Sequence, residues 1–288
     1  MNRQSRMQGL VLLTCVGLLA RPAAAQEEAA PTDEPAFWFP VGEKLVHRIH
    51  WGFIPVGMSL TTTEWIEEDG KRLLAIRMRT RTNKVFDKIR PVNDKVESIV
   101  DPKTFLPVRF LRVMIRRGKI CNETTVFDHA KKQATWTSQC SGQSNTFAIA
   151  ADTRDIMTFM YYTRRKPFPE DSELDHKVMA DDGIFDLKLR TRKKEKVKLD
   201  TFGKVPSLRI EPKFDFDGLL VDKGKFRLWV SDDKRQLLTR AVIDGRLANI
   251  KLTLCRVRGP GDDSWTRATT KKAGKAPCAE VVEEVEER

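Results

Sequence analysis

Apolar and polar residues alternate through most of the chain between residues 37 and 258. Leu45, His47, Ile49 and Trp51 alternate with Lys44, Val46, Arg48 and His50. Val56, Met58 and Leu60 alternate with Gly57, Ser59 and Thr61, and Leu74, Ile76, Met78 and Thr80 with Ala75, Arg77, Arg79 and Arg81. The same period returns at Phe185–Leu189, Phe226–Val230 and Ile250–Leu254. Period two with one apolar face predicts antiparallel strands buried on one side. Turn residues separate them: Glu68-Asp69-Gly70, Arg117-Gly118, Asp181-Asp182-Gly183, Asp232-Asp233 and Asp244-Gly245. So many one-faced strands predict a mainly β fold, a curved antiparallel sheet that is half-barrel or barrel-like. The phase slips between Phe110 and Leu111, which predicts a bulge there or a strand buried on both faces.

One segment departs from this period. From Asp152 to Tyr162, Ile156, Phe159, Met160 and then Thr163 recur at helical spacing, with Asp152 or Thr153 as the cap and Pro167 beyond the end. This predicts one short helix inserted between two runs of strands. It carries Tyr161 and Tyr162, the chain's two tyrosines, followed by Arg164. Such a helix either plugs one end of a curved sheet or lines a ligand cavity, and packing is the preferred reading. Asp155 and Arg164 are expected to form a charge pair.

The two ends read differently. Residues 1–25 have the layout of a signal peptide: Arg3 and Arg6, an apolar run from Gly9 to Ala20, then Ala23-Ala24-Ala25. The run is too short to span about 30 Å of hydrocarbon, and no transmembrane span is expected in the mature chain. Residues 26–36 form an acidic linker, residues 37–258 a single β-rich domain, and residues 259–288 a flexible C-terminal tail. The chain of 288 residues has a net charge of +12. Because the linker and tail are net acidic, the basicity lies in the β-rich part. Export to the periplasm or beyond argues against a nucleic-acid partner, as does the lack of aromatic residues among the basic stripes.

In an oxidising compartment, the four cysteines beyond residue 25 suggest disulfides. Ile120–Phe127 and Gln133–Cys140 flank a polar turn. A four-residue loop, His129 to Lys132, sets Asp128 opposite Gln133 and therefore Cys121 opposite Cys140, predicting a cross-strand disulfide. A one-residue slip would put the two on opposite faces. Cys255 and Cys278 remain as a possible second pair.

Several segments together resemble domain-of-unknown-function family 3108. Phe39-Pro40-Val41-Gly42-Glu43-Lys44-Leu45, then Trp51-Gly52 and Ile54-Pro55-Val56-Gly57, are similar to its opening. Asp155 to Arg164 resembles its central D…YYxR segment, and Trp229-Val230-Ser231-Asp232-Asp233 its late W-x-S-D-D turn. The resemblance covers about residues 37–256. It implies an exported envelope protein rich in antiparallel sheet, and it lends no catalytic residue.

The sequence shows no GxSxG, HExxH, P-loop or GxGxxG motif. His47 and His50, three apart on a strand, point to opposite faces rather than to one metal, and His47 reads as a core histidine. The Asp pairs fall in turns or in the tail, where Asp is favoured for backbone hydrogen bonding. No catalytic residue, metal or cofactor is assigned. The candidate ligand-binding residues are two basic stripes, Arg77, Arg79 and Arg81, and Lys188, Arg190 and Arg192, together with Tyr161, Tyr162 and Arg164. The stripes suit anionic polymers or lipid head groups. The reading is a non-catalytic envelope binding or scaffold protein for a lipid, lipopolysaccharide or glycan, held by the apolar interior of the sheet, with peripheral membrane contact. The alternative is an envelope hydrolase whose site is assembled from dispersed residues.

Overall fold

The computed structural model describes residues 36–116, 118–180, 183–214, 226–245 and 247–271. The alternating segments form strands: β1 (Lys44–Trp51), β2 (Ile54–Glu68), β3 (Lys71–Thr82), β4 (Asn93–Asp101), β5 (Leu106–Arg116), β6 (Lys119–Asp128), β7 (Gln133–Ser138) and β8 (Ser144–Ala148). After β9 (Arg154–Asp155) and helix α2 (Ile156–Tyr162) come β10 (Glu173–Ala180), β11 (Gly183–Leu199), β12 (Gly203–Phe214), β13 (Phe226–Ser231), β14 (Leu238–Ile243) and β15 (Ile250–Arg258). A short helix α1 (Lys84–Asp87) follows β3, and α3 (Ser264–Lys271) follows β15.

All fifteen strands join one sheet in the order β8-β7-β6-β5-β4-β3-β2-β1-β15-β14-β13-β12-β11-β10-β9. Its first and last long strands pair at the centre, and β8 and β9 are the edges. The pairing is antiparallel except for the two-residue match of β9 with β10. The β2–β3 turn shows how local sequence fixes register: Asp69 and Gly70 both adopt positive φ, 51° and 69°. That is the backbone of a two-residue hairpin turn whose twist matches the strands.

The sheet curves around α2. Leu74 and Ile76 of β3, Val100 of β4, Phe110 of β5, Phe127 of β6 and Trp136 of β7 share one buried cluster with Met157 and Tyr161 of α2 and Met179 of β10. The two limbs of the sheet therefore close on the same helix. Phe37, Trp38 and Phe39 pack their rings against Phe105 and complete the plug.

Several expectations are corrected. The bulge lies at Val108: Ile99 pairs with Arg109 and Val100 with Pro107, so Val108 has no partner in β4. Phe110, Arg112 and Met114 then alternate inward. The cap of α2 is Asp155 rather than Asp152 or Thr153, accepting from the Met157 and Thr158 amides. Met160 is exposed, and the buried residues of α2 are Met157, Thr158, Phe159 and Tyr161. The helix is wedged between two clusters, with Met157 and Tyr161 in one and Phe159 in the other, so a one-sided amphipathic pattern does not describe it.

Order also continues past residue 258. Asp263 accepts from the Trp265 and Thr266 amides at the start of α3. Trp265 is buried against Phe202, with ring centroids 4.8 Å apart, and its indole donates to Asp233 at 2.7 Å. A large aromatic with a satisfied N–H anchors a segment that the charge pattern alone reads as a tail. Gly259 passes so close to Gly42 that a Cβ on it would overlap the Gly42 carbonyl.

The β6–β7 register is the one the loop length requires, from Glu123 opposite Ser138 to Asp128 opposite Gln133. Cys121 and Cys140, with Cα atoms 5.2 Å apart, form a disulfide just beyond the end of β7. The Cys255–Cys278 pairing falls on Cys278, outside the described residues. Cys255 itself is buried with Val46, Met58 and Leu60.

Candidate anion-binding pocket

The residues singled out in the sequence have structural partners. Arg77 pairs with Glu64 and Glu97 on the neighbouring strands. Arg79 and Arg81 lie opposite Leu60 and Met58 of β2. Lys188 lies 4.0 Å from Asp175, Arg190 pairs with Glu173, and Arg192 pairs with Glu211 at 2.7 Å. Cross-strand carboxylates thus neutralise Arg77 in the first stripe and most of the second.

The helix residues are also structural. Tyr161 is buried against Phe39, and burial and the neighbouring Glu43 push its phenol pKa well up. Tyr162 packs on Trp38 and carries the Arg154 guanidinium 3.7 Å above its ring. Arg164 does not meet Asp155, which is held by Ser98 and Thr158. It reaches Glu43, which Arg235 also binds at 2.5 Å, and Arg235 in turn binds Asp263 at 2.8 Å. Glu43 is fully buried, yet the two guanidiniums hold its carboxyl below the usual range against the opposing effect of burial. The opening segment and the helix end therefore meet at one buried carboxylate, joined by Arg235, two residues beyond the Trp229–Asp233 segment. This cluster and the aromatic plug pack against the inner face of the sheet beside α2.

His47 is buried as a core histidine, its Nε2 2.8 Å from the Leu238 carbonyl, and burial lowers its pKa. His50, on the other face of β1, belongs to a different group of residues. Register aligns Arg48 with Thr253 and Arg240, and His50 with Lys251, across β1, β15 and β14. The tip of the β11–β12 hairpin lies over this face: Thr201 donates to the Cys255 carbonyl at 2.7 Å, and Arg240 donates to the Lys198 carbonyl at 3.2 Å.

Between hairpin and sheet is a cavity of about 140 Å³, lined by Arg48, His50, Lys198, Arg240, Lys251 and Asp200 among others. Four cations face one carboxylate, and that carboxylate lies 3.6 Å from Arg48. Burial, then Lys251 and Arg48, lower the His50 pKa, so the imidazole is neutral near pH 7. The buried Nδ1 of His50 and Nε of Arg240 have no hydrogen-bond partner among the described residues. Buried polar atoms are ordinarily satisfied, and here the surplus charge is positive. The arrangement can hold a small oxyanion through charge-assisted hydrogen bonds.

A second cavity of about 260 Å³ is lined by Pro167, Phe168, Leu208, Val230, Asp232 and Gln236 among others. Asp232 is paired there with Lys194 at 3.0 Å. Both volumes fall below the roughly 300–1,000 Å³ of drug-sized ligand sites. None of the nine residues proposed from sequence lines either cavity, although Lys198 continues the period of the β11 stripe. The pocket residues escaped sequence reading because their neighbours come from β1, β11, β14 and β15. The one local signal is the polar face formed by Arg48 and His50. Among the described residues, no three His, Cys, Asp or Glu side chains group as a metal site, and no helix is long and apolar enough to cross a membrane.

No functionally curated protein matches the chain. Among solved structures it is similar to a beta-barrel-like protein of domain of unknown function DUF1849 from Brucella abortus. The identity is 11% and the TM-score 0.51, and the match covers 77% of this chain and 98% of that one. The likeness concerns the fold alone. The model for the family described as "Protein of unknown function (DUF3108)" matches residues 46–254, well over half of the sequence. By this match the chain belongs to the DUF3108 family.

Proposed function

We propose that this protein is an exported, non-catalytic binding or scaffold protein of the cell envelope, and that its ligand is an anionic group held in the Arg48–Arg240–Lys251 pocket. The observation carrying this reading is the cluster of four cations around a cavity that, among the described residues, has one carboxylate in its lining. The N-terminal leader pattern supports export. The cavity fits a phosphate or carboxylate rather than an acyl chain, so the ligand binds by its head group. That chemistry is shared by phospholipid head groups and by acidic glycans.

Calorimetric titration of the mature protein with glycerol phosphate and, separately, with a uronic-acid oligosaccharide distinguishes the two sources. Binding of one probe that weakens at least about tenfold in R240Q/K251Q and falls with added salt supports the reading. Binding of neither, or binding unchanged in the variant, overturns it.

A further inference from the structure

Three turns meet at one end of the sheet, and each presents apolar side chains to solvent. The β1–β2 turn carries Phe53 and Ile54, with Phe53 99% exposed. The segment around α1 carries Val85 and Ile89, both more than two-thirds exposed, and the β14–β15 connection carries Leu247, 89% exposed. They are contiguous. Gly52 donates to the Asn249 carbonyl at 2.8 Å, Asn83 donates to the Pro55 carbonyl at 2.7 Å, and the rings of Trp51 and Phe86 lie 6.1 Å apart.

Scattered single apolar residues on a surface need no explanation, whereas a group gathered at one tip does. Strand addition by a partner does not account for it. β1, β2, β3, β14 and β15 are each paired on both sides, so no open edge lies there for another chain.

The charge around the tip is positive. Lys88 and Arg90 are exposed beside Ile89. Of the nearby carboxylates, Asp87 accepts from Thr82 and Asp244 pairs with Arg227 at 2.5 Å. Exposed aromatic and aliphatic side chains flanked by lysine and arginine suit the boundary between acyl chains and anionic head groups.

We propose that this end of the sheet is a docking tip that inserts Phe53, Ile54, Val85, Ile89 and Leu247 shallowly into an anionic bilayer surface. The proposal stands on the exposed turns and does not require the pocket to bind a soluble ligand.

The test is co-sedimentation of the mature, full-length protein with vesicles of phosphatidylglycerol and phosphatidylcholine, and with vesicles of phosphatidylcholine alone. The wild type pellets with the anionic vesicles and less with the neutral ones, and added salt weakens the binding. F53S/I89S lowers partitioning at least about tenfold, while its melting curve and its response to glycerol phosphate stay those of the wild type. No pelleting of the wild type with anionic vesicles overturns the proposal, as does equal pelleting of F53S/I89S. A wild-type dimer that F53S/I89S converts to a monomer in sedimentation equilibrium assigns the tip to a second copy instead and also overturns it. R240Q/K251Q serves as the parallel variant: loss of soluble-probe binding there, with Phe53-dependent pelleting retained, separates the two sites.

Discussion

Arg164 holds both carboxylate oxygens of Glu43 across 121 residues of sequence, in a site where Glu43 has no exposure to solvent. Arg164 is itself fixed by the Arg235 carbonyl at 2.9 Å and by the faces of Phe39 and Tyr161. Such a pair contributes little relative to an apolar replacement, but removing one partner strands the other charge. Glu43→Gln is expected to cost about 3–5 kcal/mol in urea unfolding. Arg190→Gln, which breaks an exposed pair with Glu173, leaves the midpoint unchanged.

The buried histidine gives stability a pH dependence. His47 resists protonation because burial lowers its pKa from 6.5. The unfolded chain takes up a proton near 6.5 that the folded chain excludes, so stability is lost as pH falls through and below that value. His50 and His176 are shifted the same way, chiefly by burial. Urea midpoints are expected to be lower at pH 5 than at pH 7.5. His47→Gln, which keeps a donor for the Leu238 carbonyl, makes that slope shallower.

The Cys121–Cys140 bridge closes a segment with a sequence separation of 19. The chain-entropy model assigns a loop of this size about 3 kcal/mol. The double variant C121S/C140S is expected to lose about that much. Peptide mapping without reduction recovers the two cysteines in one linked fragment.

Trp265 anchors α3. Trp265→Ala is expected to cost about 3–5 kcal/mol, as for other large-to-small core changes. Trp265→Phe retains the contact with Phe202 and loses only the hydrogen bond to Asp233, about 1 kcal/mol. If both variants melt with the wild type, the helix does not contribute to the domain's stability.

What the sequence made legible was local. The strands around Leu45, Leu74 and Ile250, the His129–Lys132 loop and the cysteine register all follow from period and turn length, which act over a few residues. The cap of α2 was misread because Asp152, Thr153 and Asp155 are all capping types; burial against Ser98 and Thr158 singles out Asp155. The basic stripes looked bare because their neutralising partners, such as Glu97 for Arg77 and Glu211 for Arg192, sit on adjacent strands. The pocket was invisible for a related reason. Arg48 and Lys251 become neighbours only when the ends of the domain pair, and no local pattern announces that pairing.

The sheet order also sets the timing of folding. Its two edges, β8 and β9, are joined by residues 149–153, whereas its central seam brings β1 against β15. A chain made from its N-terminus can assemble β1 to β8 as one half-sheet, but the outer side of β1 stays open until residue 250 and beyond are available. Contacts of such long sequence separation form late and slowly. The step that joins the halves also creates the basic pocket and, at Gly42 and Gly259, brings the domain's ends into contact. An incomplete chain would therefore have neither the central seam nor the basic pocket, and both arrive only with the last strand.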